Sequence, residues 1–224
     1  VLKATTSCNS VSSRRRAFER SSARIAIFAT GSPSRTRTTG GPGGSDSSSP
    51  EYFTPHEFLL STIGPQLFFR ADDGEDGSEL WGFDGSAAYL VADINPTVSS
   101  APSDLISGGA GFFFAATGPT DGRELWTAYL SGIGVPATIE VEQAADVATG
   151  AASSDPHDPA LLNGTLYFAA TDASGDQELY EYDQSASPPF TKIDVDPSGS
   201  ADVNDLFAWD GRIYFAADAS TEGE

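Results

Sequence analysis

Short apolar runs recur along this chain with nearly one spelling. Phe112-Phe113-Phe114-Ala115-Ala116, Leu166-Tyr167-Phe168-Ala169-Ala170 and Ile213-Tyr214-Phe215-Ala216-Ala217 all end in Phe-Ala-Ala, and Leu67-Phe68-Phe69-Arg70-Ala71 is a close fourth. The residues Phe69, Phe114, Phe168 and Phe215 set a period of about 45–55 residues, which corresponds to one supersecondary unit per repeat. Glu-Leu-aromatic follows three of them in one register, as Glu79-Leu80-Trp81, Glu124-Leu125-Trp126 and Glu178-Leu179-Tyr180.

The third repeat shows the grammar. Leu166–Ala170 is a compact β-prone run, and Thr171–Asp176 is turn chemistry. Glu178–Asp183 and Phe190–Val195 alternate apolar with polar, as half-buried strands do. Asp196-Pro197-Ser198-Gly199 breaks the pattern, Asp205–Trp209 resumes it, and Asp210-Gly211 signals a hairpin into the next copy. The first repeat follows the same order, with strands expected over Leu67–Ala71, Glu79–Asp84, Tyr89–Ile94 and Asp104–Ile106. In the second, Thr138–Glu142 is the third strand, and Gln143–Pro159 reads as an inserted surface loop that lengthens the period.

Four short strands per repeat predict an all-β fold, an incomplete β-propeller of three to four four-stranded blades. Repeats are expected near 65–107, 111–162 and 165–209, with a partial copy over 212–224. The Phe-Ala-Ala strand reads as the innermost of each blade and the Asp-Leu strand as the outer one. Phe58-Leu59-Leu60 sits where the last strand of a preceding blade would lie. The missing blades are expected from further sequence or from self-association. The absence of methionine and the stop within the fourth copy suggest a processed product or fragment.

Charge separates a tail from this body. Residues 1–50 carry Lys3, Arg14, Arg15, Arg16, Arg20, Arg24, Arg35 and Arg37 against Glu19 and Asp46. After residue 50 only Arg70, Arg123, Lys192 and Arg212 are basic, in a chain of net charge −20. The Ser/Arg/Gly-rich tail has too little apolar surface to offset chain ordering, and reads as a disordered leader or linker. Its acid-poor, Arg-rich composition also fits an organelle transit peptide. The acidic body excludes nucleic-acid binding, which needs clustered cations. No run of about 18 apolar residues predicts a membrane span. Cys8 is the single cysteine, so no intrachain disulfide forms.

At Glu79-Leu80-Trp81-Gly82-Phe83-Asp84-Gly85-Ser86 the chain resembles the ELWxxDGT-repeat family. Asp93-Ile94-Asn95-Pro96 and Asp194-Val195-Asp196-Pro197 resemble that family's aspartate-hydrophobe-Asn-Pro element. The resemblance covers residues 65–224 and is partial after the first repeat. Glu124-Leu125-Trp126-Thr127-Ala128-Tyr129 lacks Asp-Gly, and the third copy has Tyr180 and Asp183-Gln184 in place of Trp and Asp-Gly. It implies propeller-like repeats of secreted or cell-surface proteins, with no enzymatic activity attached to the repeat. A weaker similarity is to TolB-type propellers.

Three groups of residues could carry chemistry. Asp72, Asp73 and Asp76, within Asp72-Asp73-Gly74-Glu75-Asp76-Gly77, gather oxygens and glycines as a calcium loop does. Glu79, Glu124 and Glu178 could serve acid–base chemistry, but their periodicity favours a role in tying down turns or neighbouring units. Trp81, Trp126 and Tyr180 pack a core or form a sugar platform. His56 and His157 have no partner histidine nearby, and no catalytic residue is assigned. The functional expectation is a non-enzymatic scaffold or binding module for a protein or carbohydrate ligand, extracellular or surface-associated. A carbohydrate-active enzyme and a calcium-stabilised adhesion domain are the alternatives.

Overall fold

The computed structural model describes residues 58–60 (backbone only), 67–74, 77–131 and 138–218. The tail over 1–50, His56 and Asp76 lie outside them. Among the described residues there is no helix, and 14 strands build four antiparallel sheets.

The first sheet runs β1 (Phe58–Leu60), β2 (Leu67–Asp72), β3 (Ser78–Phe83) and β4 (Ala88–Ala92), paired in chain order. The second repeats that meander with β5 (Ser103–Gly108), β6 (Gly111–Thr117), β7 (Arg123–Ser131) and β8 (Thr138–Ala145). The third does so with β9 (His157–Leu162), β10 (Thr165–Thr171), β11 (Gln177–Tyr182) and β12 (Phe190–Ile193). The fourth contains β13 (Asn204–Trp209) and β14 (Arg212–Ala216). Turn chemistry fixes the hairpins. Asp210-Gly211 and Asn163-Gly164 both hold positive φ at two successive positions, as a type I′ turn requires.

This order corrects the repeat boundaries. The Asp-Leu strand does not close a unit from outside. It opens the next sheet by pairing with the Phe-Ala-Ala strand, as β5 with β6 and β13 with β14. The opening strands then lie against one another from sheet to sheet, β5 beside β9 and β9 beside β13. The Phe-Ala-Ala strand is therefore second of four rather than innermost. Flanked on both edges and both faces, it is the strand that burial makes most apolar. Phe68, Phe112, Phe114 and Phe168 are at most 1 % exposed, each worth roughly 1.5–3 kcal/mol of burial.

The expected insertion over Gln143–Pro159 is also corrected. Gln143–Ala145 continue β8, and Ala144, Ala145, Val147, Ala148, Ser154 and Pro156 are buried. His157–Pro159 begin β9. The extra length of this repeat lies mainly in the long β7–β8 ribbon, which holds nine and eight residues. Alanine-rich composition conceals a buried connector here, because small side chains are what the space between sheets admits.

Three apolar layers separate the four sheets. Phe68, Leu80, Phe112 and Phe114 fill the first, with the Phe68 and Phe112 rings 4.7 Å apart. Leu125, Leu166, Phe168 and Tyr180 fill the second, and Ala169, Leu179, Val203 and Leu206 the third.

Candidate functional site

Each recurring glutamate is the second residue of the third strand of its sheet, where strand alternation turns it inward. Glu79, Glu124 and Glu178 are all fully buried. A buried carboxylate must be paired or hydrogen-bonded. Here the chain's own backbone supplies the donors. The amide of Ile94 donates to Glu79 Oε2 at 3.0 Å and that of Ser100 to Oε1 at 2.7 Å. The Ser100 hydroxyl adds a bond to Oε2 at 2.5 Å. Glu124 repeats this set, with Val147 N at 2.9 Å, Ser154 N at 2.9 Å and Ser154 Oγ at 2.5 Å.

The third copy is weaker. Glu178 accepts from Val195 N at 2.8 Å and from Asp196 N at 3.4 Å. Ala201 stands where Ser100 and Ser154 stand, and has no hydroxyl to give. Its place is fixed by one further bond that repeats. The carbonyls of Ser100, Ser154 and Ala201 accept from Thr117, Thr171 and Asp218 of the following sheet, at 2.8, 2.8 and 2.7 Å. In the first two copies one residue thus binds the glutamate of its own sheet and latches the next sheet in place, while Ala201 keeps only the latch.

Burial pushes the Glu79 carboxyl above the ordinary glutamate range, although the bonds from Ser100 and Ile94 pull the other way. Glu124 is raised for the same reason, opposed by Ser154 and Val147. Neither carboxylate faces a cleft. Their chemistry is to accept backbone donors.

The amide that reaches each glutamate also reveals a motif missed in the sequence. Ile94, Val147 and Val195 are equivalent, so Asp146-Val147-Ala148-Thr149 is the second copy of the aspartate-hydrophobe element. Glutamate and amide are 15, 17 and 23 residues apart in the first, third and second copies. The long ribbon of the second hid this. In the first and third copies the next side chain closes the connector. Asn95 Oδ1 takes the Thr97 hydroxyl at 2.8 Å, and Asp196 Oδ1 takes the Ser198 hydroxyl at 2.7 Å. Asn95 Nδ2 donates across to Gly118 O at 3.0 Å. A second available signal was Ser-x-Pro, shared by Ser100-Ala101-Pro102 and Ser154-Asp155-Pro156.

The other predicted residues are dispersed. Asp72 ends β2 and its Oδ1 takes the Gly74 amide at 2.6 Å, an ordinary Asx turn. Asp73 follows it, and Asp76 lies outside the described residues, so the three are not seen together. Among the described residues no group of three His, Cys, Asp or Glu side chains could hold a metal ion. Trp81 and Tyr180 are 6 % and 1 % exposed, which makes them core rather than platform. His157 lies on β9, its Nδ1 2.8 Å from Asp155 O and its Nε2 3.1 Å from Gln177 Nε2.

In the third repeat a lysine lies against the carboxylates of the β10–β11 loop. Lys192 Nζ binds Asp172 Oδ2 at 3.0 Å and also contacts Asp176. The Ser174 hydroxyl, ahead of Lys192, holds the Asp172 carboxyl well below its usual range. The two carboxylates in turn push the Lys192 ammonium upward against burial.

An open cleft of about 610 Å³ lies between the second and third sheets, at their hairpin ends. Its aromatic wall is Phe113 and Tyr182, edge to face at 5.2 Å, with Tyr129 beside them. Glu181, Asp183 and Gln184 form the polar rim. Burial raises the hydroxyls of Tyr129 and Tyr182, and the nearby Glu142 adds to both shifts. The cleft is aromatic, acidic and without a basic side chain.

The fold and these contacts define an all-β protein of repeated antiparallel sheets, the three four-stranded ones each carrying a buried glutamate. No family model matches the chain, and neither a curated protein nor a solved structure matches it. No described helix is long and apolar enough to cross a membrane.

Proposed function

We propose that this chain is a β-propeller-type repeat scaffold, a non-enzymatic binding module acting outside the cell or at its surface. The sheets are its blades, and the adjacent opening strands β5, β9 and β13 line its axis. The observation that carries the reading is the use made of the periodic carboxylates. A general acid or base must reach the substrate, whereas Glu79, Glu124 and Glu178 are buried and engaged with their own connectors. The repeat is spent on holding sheets together, so ligand binding falls to side chains that vary between repeats.

The cleft between the second and third sheets supplies such side chains, and its volume lies in the range of ligand sites. The ligand is a protein or carbohydrate surface. The test is a screen of the purified chain against glycan and peptide arrays, repeated with Asp183→Asn and Gln184→Ala. Both residues are exposed, so the substitutions leave the core alone. Binding that weakens in these variants supports the module. Binding that ignores them removes the cleft from the proposal. Turnover of chromogenic glycosides, lost on substitution of a carboxylate, would replace scaffold with enzyme.

A further inference from the structure

The cleft between the second and third sheets lies where the repeat is broken, and each break favours a positively charged ligand. Residues paired across a ladder share a face. Phe113 pairs with Thr127 and Thr127 with Glu142, while Gly111 pairs with Tyr129 and Tyr129 with Glu140. All of these share the face of the second sheet that looks onto the third, where Tyr182 meets Phe113 edge to face. Glu181 lines the edge of the cleft, but it pairs with Tyr167, which packs toward the fourth sheet. The acidic charge beside the aromatic wall is therefore that of Glu140 and Glu142, with Asp183 at the rim. Burial raises the hydroxyls of Tyr129 and Tyr182, and the charge of Glu142 adds to both, which places that carboxylate near each wall.

The equivalent place between the first and second sheets is filled. There Gly82 stands for Thr127 and Tyr89 for Glu142, paired in the same way. A methyl on Gly82 would come 2.7 Å from the Tyr89 ring, so that ring lies over the glycine and closes the space. Between the second and third sheets a carboxylate replaces the ring. Gly111 brings no side chain opposite Tyr129, and Gly108, Gly109 and Gly164 line the same opening. The tyrosines are left half-buried, with carboxylates beside them and no basic side chain in the lining.

We propose that this cleft receives an arginine side chain of a partner protein, its guanidinium stacked on the tyrosine wall and paired with Glu142. Aromatic faces and carboxylates both favour a cation, and a guanidinium is the cation that stacks on a ring and binds a carboxylate through two donors at once. The net charge of −20 draws a basic partner in from a distance. Gly109, Ala110 and Gly164 at the mouth are exposed, so a peptide backbone can cross the hairpin ends while its side chain enters. The proposal rests on the reading of the cleft as the ligand site, and narrows its ligand to a basic protein segment.

The test is titration of the 224-residue chain with the blocked peptide Gly-Gly-Arg-Gly-Gly and with its citrulline counterpart, the neutral isostere, followed by NMR chemical shifts at moderate salt. The arginine peptide is expected to bind about tenfold or more tightly than the citrulline peptide. Glu142→Gln and Tyr129→Leu should each weaken the arginine peptide about fivefold or more. Asp210→Asn removes the same charge from the distant β13–β14 turn, which Asn-Gly also serves, and should change binding less than about twofold. Glu142 is exposed, so an unchanged melting temperature in Glu142→Gln would show that the fold survives. Equal binding of the two peptides overturns the cation and leaves the cleft as the ligand site. Equal weakening by Asp210→Asn, or none by Glu142→Gln, shows diffuse attraction and overturns the proposal. A silent arginine peptide beside a glycan that Asp183→Asn weakens gives the cleft to carbohydrate, and overturns it too. If no ligand responds to any cleft variant, the proposal and the reading beneath it both fall. A peptide that binds only after Arg14→Gln, Arg15→Gln and Arg16→Gln would show the chain's own tail as the occupant, which overturns the partner protein.

Discussion

Glu124→Gln is the sharpest perturbation of this fold, because it changes one atom in a site with no spare donor or acceptor. The wild-type carboxylate accepts from Val147 N, Ser154 N and Ser154 Oγ, all within 2.9 Å. Glutamine turns one accepting oxygen into a donor. One amide of the connector then faces an NH₂ group and is left unpaired in a buried place. A hydrogen bond to a charged group is worth about 1.5–3 kcal/mol, and an orphaned buried donor costs about 1–3 kcal/mol more. Part of this is offset, since glutamine no longer requires a charge to be buried, the cost that raises the Glu124 pKa. The net loss is expected at about 2–4 kcal/mol. For a domain of this size that corresponds to a fall of about 5–15 °C in Tm.

Glu178→Gln supplies the internal control. Its second amide contact is long, 3.4 Å from Asp196 N, and Ala201 offers no hydroxyl. Glutamine keeps its carbonyl oxygen for Val195 N and turns its NH₂ toward the weak contact, so the loss is about 1–2 kcal/mol. Thermal and urea unfolding followed by circular dichroism, near pH 8 to keep the parent carboxylates ionised, should rank Glu124→Gln as clearly more damaging. If Glu178→Gln costs as much, or Glu124→Gln falls within about 0.5 kcal/mol of the parent, the reasoning from donor counts is wrong.

Three further outcomes are expected. Ala201→Ser restores the missing hydroxyl beside Glu178 and should raise stability by about 0.5–1 kcal/mol, read as a rise in Tm that disappears in the Glu178→Gln background. Lys192→Met breaks its contacts with Asp172 and Asp176 and should cost about 1 kcal/mol near neutral pH; Asp172 is depressed when folded, so its stabilisation holds above the unfolded value of 3.8 and fades as pH falls toward the folded one, and the variant and parent unfolding curves should converge in acid. Gly111→Ala places a methyl 2.2 Å from the carbonyl oxygen of Ala128, which forces β6 and β7 apart, and urea unfolding should show a loss of about 2 kcal/mol or more.

Strand periodicity survives in a sequence when one strand meets one constant environment. The Phe-Ala-Ala strand and its first-sheet variant do so in the three four-stranded sheets, lying second between paired neighbours, and their register is plain in the sequence. Sheet boundaries were not, because Asp104–Ile106 follows the third strand in sequence yet pairs with the next Phe-Ala-Ala strand. Asp210-Gly211 marks this pairing in the third repeat, but strand order alone does not say which side a strand pairs. The connector Asp146–Pro156 was obscured for a different reason. Its buried positions are Val147, Ala148, Ser154 and Pro156, side chains too small to read as core, and the long β7–β8 ribbon had moved it out of register.

The glutamates were visible as a repeat but not as a mechanism. What they bind is backbone, and an amide has no letter in the sequence. Only the serine hydroxyl leaves a trace, and it fades in the third copy, where Ala201 replaces it. The variation follows a physical order. The amide from the hydrophobe after aspartate is kept in all three copies, while the hydroxyl and the Asx side chain are each lost once, at Ala201 and Ala148. Two of the three ties therefore suffice to hold the connector, and the carbonyl latch to the next sheet is kept in all three. A side chain that can be lost from one copy is also one that can diverge, and the cleft rim at Glu181, Asp183 and Gln184 lies where the Asp-Gly of the first copy has already done so. Sequence constraint is thus concentrated on the glutamate and its first amide, which leaves the hairpin ends free to acquire a ligand without disturbing the stack.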